Sequence, residues 1–172
     1  MSCVNCGCST AITSTTGPKG DRGATGAAGS AAAGIVVVTS ATYAPTAATV
    51  TSGTEVYLDR AAGIAVTLPT SPDVGYTLTF IVKTTITSNT TTITAAAADF
   101  YLGFIYSHKS AADEVVYTAN AALTDHIVTL DGTIRGGIIG TVLKFTYFDT
   151  TNNLWYVSGY TLASGAGATP FS

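Results

Sequence analysis

Residues 17–31 read GPKGDRGATGAAGSA, and glycine occupies every third position of this stretch. Glycine at a period of three is the pattern of collagen, in which three polyproline-II strands wind about an axis that has room only for a residue without a side chain. The stretch therefore predicts a triple-helical stalk and makes the chain one third of a homotrimer. The residues predicted to face the axis are Gly17, Gly20, Gly23, Gly26 and Gly29.

The residues between these glycines suit a triple helix. Pro18 fixes its backbone angle near the polyproline-II value. The sequence Lys19-Gly20-Asp21 resembles the inter-chain ion pair of collagen-like proteins from viruses and bacteria, and Arg22 adds a second cation. The alternative is a flexible linker that shares the period by chance. Fifteen residues at about 3 Å each give a stalk of roughly 45 Å, too short to associate unaided, so we expect another part of the chain to hold the trimer together.

Composition predicts a folded domain after the stalk. The chain has 172 residues, 47% of them apolar, which suffices for one compact core. Charged residues make up only 10%, against about 25% in an ordinary globular protein. A surface with so little charge would favour precipitation of a monomer, so we expect faces of this domain to be buried between subunits.

The net charge of −3 gives no reason to expect nucleic-acid binding. The sequence contains no run of about 18 apolar residues and no basic segment followed by an apolar core at its start, so it predicts neither a membrane span nor a secretory signal. We therefore expect synthesis in the cytoplasm.

Four regions are predicted along the chain: an anchor with cysteines at 1–16, the stalk at 17–31, a neck at 32–41 and a β-sandwich head at 42–172. β-branched and alternating runs in the neck and head predict strands, and turn residues separate them. We expect the strand at 90–94 to pair with the strand at 76–82, and the last two strands to form a hairpin. The only stretch that tolerates a helix is 110–122, and its Val115-Val116-Tyr117 segment argues against one. The predicted strands are 35–38, 54–58, 64–68, 76–82, 90–94, 99–106, 127–130, 141–148 and 154–160. The fold class is thus all-β, a trimeric sandwich or jelly roll.

Three segments of the head resemble phage virion β-domains. They are VTLP at 66–69, GYTLTFIV at 75–82 and LWYVSG at 154–159. A strand ending in TLP, a GxxxTF strand and a closing WYVxG strand recur in trimeric head fibres, capsid decoration proteins and tail-fibre tips. The resemblance covers about residues 42–161 and implies a virion protein whose N-terminus docks on the major capsid protein or another virion protein. A single brief stalk favours a short capsid projection over a long tail fibre.

All three cysteines fall at the start of the chain, at Cys3, Cys6 and Cys8. Inter-chain disulfides would staple the end of the stalk, and an odd number per chain suits pairing across chains. Thiolates at this spacing could also contribute to a zinc site, but zinc takes four ligands and no histidine lies nearby. Free thiols packed against the docking partner are the third interpretation. The sequence leaves the three open.

The sequence offers little for catalysis. Ser107, His126 and Asp131 are the residue types of a catalytic triad, but no nucleophile-elbow glycines surround the serine. Asp113 and Glu114 are adjacent, so on a strand they point to opposite faces and cannot flank one bond. Arg135-Gly136-Gly137 lacks the lysine of a phosphate loop. We predict no enzyme, no catalytic residue and no cofactor.

Aromatic residues concentrate in FYLGFIY at 100–106. On a strand, Phe100, Leu102, Phe104 and Tyr106 share one face while Tyr101, Gly103 and Ile105 share the other. Both faces are apolar, which favours core or inter-subunit packing over a receptor site. The same interpretation applies to Trp155.

These features predict a structural protein of the virion surface, a homotrimeric head fibre or decoration protein made in the host cytoplasm. Weak adhesion to host surface glycans, multiplied over many copies, is a further expected role. The alternatives are a tail-fibre tip that binds a receptor, a collagen-like filament of a bacterial spore surface and, least favoured, a depolymerase tip.

Overall fold

The computed structural model describes residues 33–96, 98–109, 114–119 and 122–172. The predicted anchor, its cysteines and the whole predicted stalk lie outside the described residues. So does Asp113.

The described part of the chain is all-β, with eleven strands and no helix, which confirms the predicted fold class at this level. A seven-stranded sheet, sheet A, has the order β1-β3-β5-β10-β11-β7-β8, and a four-stranded sheet, sheet B, has the order β2-β4-β6-β9. The strands are β1 (Ile35–Val38), β2 (Thr42–Tyr43), β3 (Thr54–Leu58), β4 (Ala65–Thr67), β5 (Thr77–Val82), β6 (Thr91–Thr94), β7 (Phe100–Lys109), β8 (Glu114–Thr118), β9 (Ile127–Leu130), β10 (Val142–Asp149) and β11 (Leu154–Ala163).

The first six strands wind as a coil that alternates between the two sheets. β1, β3 and β5 lie parallel to one another in sheet A, and β2, β4 and β6 lie parallel in sheet B. The same side-chain types stack from turn to turn, as in the rows Val38, Leu58, Val82 and Tyr43, Val66, Ile93. Alternation of apolar and polar residues in each short strand is what lets successive turns share one apolar interior.

The remaining strands complete both sheets. β9 adds to β6 in sheet B, β10 adds to β5 in sheet A, and both pairings are antiparallel. β10 and β11 form the predicted hairpin, with a register shift between Tyr147 and Asp149. β11 runs parallel to β7, and β8 is the outer antiparallel strand.

The core consists of the inward side chains of the two sheets. Its largest buried members include Trp155, Tyr101, Tyr147, Phe80 and Phe145. The rings of Phe80 and Phe145 lie 5.5 Å apart edge to face, and those of Tyr147 and Trp155 lie 5.2 Å apart. Edge-to-face contacts place the positive edge of one ring against the negative face of another, which adds to the benefit of burial.

Two predictions about topology are wrong. Among the described strands, five of the nine pairings are parallel, whereas a jelly roll is antiparallel. The strands at 76–82 and 90–94 do not pair with each other, because the chain crosses from sheet A to sheet B between them. The segment that tolerates a helix contains β8, as its valines and tyrosine indicate. β1, within the predicted neck, is an edge strand of sheet A.

Candidate interaction surface

The outer face of sheet A carries one row of apolar side chains that crosses all seven strands. Strand register places Val37 beside Tyr57, Tyr57 beside Ile81 and so on to the far edge. No polar side chain interrupts this row, which we call the apolar row. Its members are Val37, Tyr57, Ile81, Val142, Tyr160, Tyr106 and Val116.

Much of the apolar row is open to solvent. The exposed fractions are 52% for Val37, 50% for Tyr106, 49% for Val116 and 45% for Tyr160. Among the described residues, seven of the ten large apolar side chains that are exposed lie on this one face of sheet A. A contiguous exposed apolar face of this kind marks an interaction surface, whereas single exposed apolar residues do not.

Aromatic rings extend the face alongside the row. Phe148 contacts Tyr156, Tyr156 contacts Phe104 and Phe104 contacts Tyr106, each pair edge to face with ring centroids 6.4, 6.3 and 5.2 Å apart. Since aromatic side chains have few rotatable bonds, a mutually packed chain of rings offers a large contact area at little cost in conformational entropy. The face is therefore ordered before any partner arrives.

Charged groups stand beside the row or at the ends of the strands. Glu55 and Lys144 belong to the neighbouring row, and Glu55 accepts a hydrogen bond of 3.1 Å from the hydroxyl of Tyr57. This hydrogen bond, with the nearby negative charge, raises the pKa of Tyr57. His108 and Glu114 face each other at 3.6 Å where β7 meets β8. The apolar row itself is thus uncharged, while Lys144 places a charge on the central strand one row away from Val142.

Sheet B presents a different outer face. The corresponding row across its four strands is Thr42, Ala65, Thr92 and Thr129. Small hydroxyl-bearing side chains of this kind are readily hydrated. One outer face of the domain therefore suits water, while the other suits a protein surface or another apolar partner.

Comparison with known protein families, with curated proteins and with solved structures finds no match for this chain. The surface is therefore interpreted from its own chemistry. In the described part of the chain no helix is long and apolar enough to cross a membrane, and no three His, Cys, Asp or Glu side chains gather as metal ligands would.

The structure does not bring the three residues considered for catalysis together. Ser107 is buried on β7, and its hydroxyl makes no hydrogen bond to any described residue. His126 Nδ1 lies 3.2 Å from the carbonyl oxygen of Thr124. Asp131 Oδ1 accepts backbone hydrogen bonds from Thr133 at 2.8 Å and Arg135 at 2.9 Å. These contacts organise the loop after β9 and do not join the three residues into a triad.

The pKa values of Asp99, Asp131 and Asp149 are shifted by burial and by hydrogen bonds within the fold. Burial would raise the pKa of Asp131, but hydrogen bonds from the Arg135 and Thr133 backbone outweigh it and lower the pKa. Hydrogen bonds from Asn152 and Thr151 lower the pKa of Asp149 in the turn between β10 and β11. Burial raises the pKa of Asp99, whose carboxylate accepts a hydrogen bond of 3.1 Å from Trp155 Nε1.

A shallow groove lies at the edge of sheet B. Its volume is about 320 Å³, and residues 44–47 and 67–70 line it. Alanine, proline and threonine dominate this lining, with no ionisable side chain among them. The groove lacks the convergent polar groups that orient a small ligand, so its lining does not indicate a ligand-binding site.

The aromatic run at 100–106 divides between the two faces as its alternation predicts. Tyr101 and Ile105 are fully buried in the core, and Phe104 and Tyr106 lie on the outer face. Trp155 is also a core residue. The apolar row itself went unpredicted, because its members come from seven separate strands and become neighbours only once strand order and register are known.

Proposed function

We propose that this chain is a structural protein of a virion surface, a homotrimeric head fibre or decoration protein. The observation that carries the proposal is the strict glycine period of residues 17–31, which is the pattern that a triple helix of three chains requires. Two features of the head support it. One row of apolar side chains crosses the outer face of sheet A, and Ser107, His126 and Asp131 do not come together as a triad.

In this proposal each part of the chain has a mechanical task. Residues 1–16 dock on a virion protein, the stalk projects from it, and three heads assemble and face outward. The resemblance of residues 66–69, 75–82 and 154–159 to phage virion domains supports the virion over a bacterial spore surface. No covalent chemistry is required, since the function is assembly and display.

The mass of the purified protein in solution tests the trimer. We expect light scattering to give three chains for the intact protein. Replacing Gly23 with valine should abolish the circular-dichroism signal of collagen, because a side chain at the axis disrupts the triple helix. Replacing Ala24 with valine is the matched control, since position 24 does not face the axis and the signal should persist. A monomeric intact chain would make the repeat a linker and remove the main support.

Adhesion to host glycans is a second candidate role. Exposed rings such as Tyr106 and Tyr156 are favourable stacking surfaces for sugars, but they can bind a glycan only if this face is not packed against another copy. Binding of the purified protein to a panel of surface glycans, compared with a Tyr156→Ala variant, checks this role. Equal binding by the two proteins would exclude the ring face as the glycan site.

A further inference from the structure

We propose that the outer face of sheet A is the surface through which a second copy of this chain packs in the trimer. The inference rests on the proposed homotrimer and identifies the residues that hold it. Each copy would bury its apolar row, together with the rings of Phe104 and Tyr156, against its neighbours around a common axis. The head would then supply the association that so short a stalk lacks.

The connection between the predicted stalk and β1 favours a second copy of the chain as the partner that covers the outer face of sheet A. Gly29, the last glycine of the predicted repeat, precedes Ile35 by only six residues. Six residues span at most about 21 Å, so in a trimer joined at the repeat the three chains would reach Ile35 with little slack. β1 is an edge of sheet A, and its outward side chains Ile35 and Val37 are exposed to 70% and 52%. The apolar row thus begins on the strand that follows the predicted stalk most closely in sequence.

The width of sheet A suits a subunit interface. Six inter-strand steps of about 4.8 Å give its outer face a width of about 29 Å, of which the apolar row forms a band one side chain wide. A stable interface buries about 800 Å² on each partner, which corresponds to a patch roughly 30 Å across. The threonine row on sheet B has no such apolar character, so the two sides of the head are chemically suited to different surroundings.

Charges beside the row are compatible with contact between copies. Glu55 lies on β3 near the β1 edge, and Lys144 lies two strands further along the same row. Lys144 has no ion pair within the part of the chain that the structure describes. In a ring of three copies, different parts of the same face meet. Glu55 of one copy could therefore form an ion pair with Lys144 of the next.

The decisive variant introduces a charge at the centre of the row in the full-length chain. Tyr160 lies on β11, between β10 and β7, and projects outward. We expect Tyr160→Glu to be monomeric by light scattering at concentrations where the wild-type chain is trimeric, because an unpaired carboxylate cannot be buried in an apolar interface. Tyr160→Phe keeps the ring, and Thr92→Glu adds the same charge on sheet B. Both should remain trimeric.

Folding of each variant is checked independently through Trp155. It is the only tryptophan of the chain and is fully buried, so its emission reports whether the core is intact. A trimeric Tyr160→Glu chain with native emission would overturn this inference and leave the proposed function standing. A monomeric wild-type chain would defeat the proposed function, and the inference with it.

A measurement on the unmodified protein covers the case in which Tyr160→Glu fails to fold. Hydroxyl-radical footprinting should find Tyr106 and Tyr160 protected in the intact trimer, although both are exposed in a single chain. Val74 and Ile139 are exposed apolar residues in turns outside the strands of sheet A and serve as the reference. Oxidation of the two tyrosines as expected from their exposure in a single chain would overturn the inference.

Discussion

At the scale of single residues, the buried contact between Asp99 and Trp155 couples stability to pH. Both side chains are buried, and the indole N–H donates to the carboxylate. Burial raises the pKa of Asp99 above its ordinary value of 3.8, and the indole hydrogen bond offsets this only in part. The protonated carboxyl therefore favours the folded state at low pH. That advantage is lost as pH rises through the folded pKa.

We expect Asp99→Asn to gain stability relative to wild type as pH rises from acid to neutral. The amide oxygen can still accept the indole hydrogen bond, but it carries no charge to desolvate. Asp99→Ala leaves the indole donor unpaired and should cost about 1–3 kcal/mol of unfolding free energy. Urea unfolding followed by Trp155 emission measures both. A difference between wild type and Asp99→Asn that does not change with pH would contradict the expectation.

At the scale of elements, close strand contact in sheet A requires glycine at position 103. Gly103 lies on β7 with φ of +119°, and a Cβ there would collide with the backbone of Val157 on β11. Gly75 also has positive φ, at +89°, but a Cβ there meets no atom within 4 Å. An alanine at position 103 would therefore suffer both a steric clash and backbone strain, whereas an alanine at position 75 would suffer backbone strain alone.

We expect Gly103→Ala to lower the unfolding free energy by at least about 2 kcal/mol, because clash and strain add. The matched variant Gly75→Ala should cost only about 1 kcal/mol, from strain alone. Chemical denaturation of both variants provides the comparison. Equal losses at the two positions would show that β7 and β11 can separate to admit a side chain.

How far the sequence predicts these elements depends on the range of the interactions. The strands at 35–38, 54–58 and 127–130 follow from β-branched residues and alternation, which are local properties. The partners of 35–38 and 54–58 do not, because a coil pairs each strand with one that lies roughly 20 to 27 residues away. The partner of 127–130 is more distant still, because it pairs with β6 at a separation of 33 to 39 residues. The alternation at 100–106 correctly separates two faces, yet both are apolar, so local pattern could not tell which one the core would take.

At the scale of the whole molecule, the proposed apolar interface predicts how the proposed trimer responds to solvent. Raising sodium chloride to about 1 M screens exposed charges almost completely but does not weaken apolar contact. Cooling does weaken it. We therefore expect sedimentation to show a trimer that survives high salt and dissociates more readily near freezing than at room temperature. Dissociation by salt would instead indicate that pairs such as Glu55 and Lys144 hold the copies together.

The winding of β1 to β6 also constrains how such a head can evolve in size. Every turn of the coil adds one strand to each sheet and stacks similar side chains on those of the turn before. Duplication of a full turn would therefore move β9 and β10 outward by one strand spacing, about 4.8 Å, without changing their own structure. Insertion of half a turn would instead move every later strand to the opposite sheet. Homologous heads are therefore expected to differ in length by whole turns.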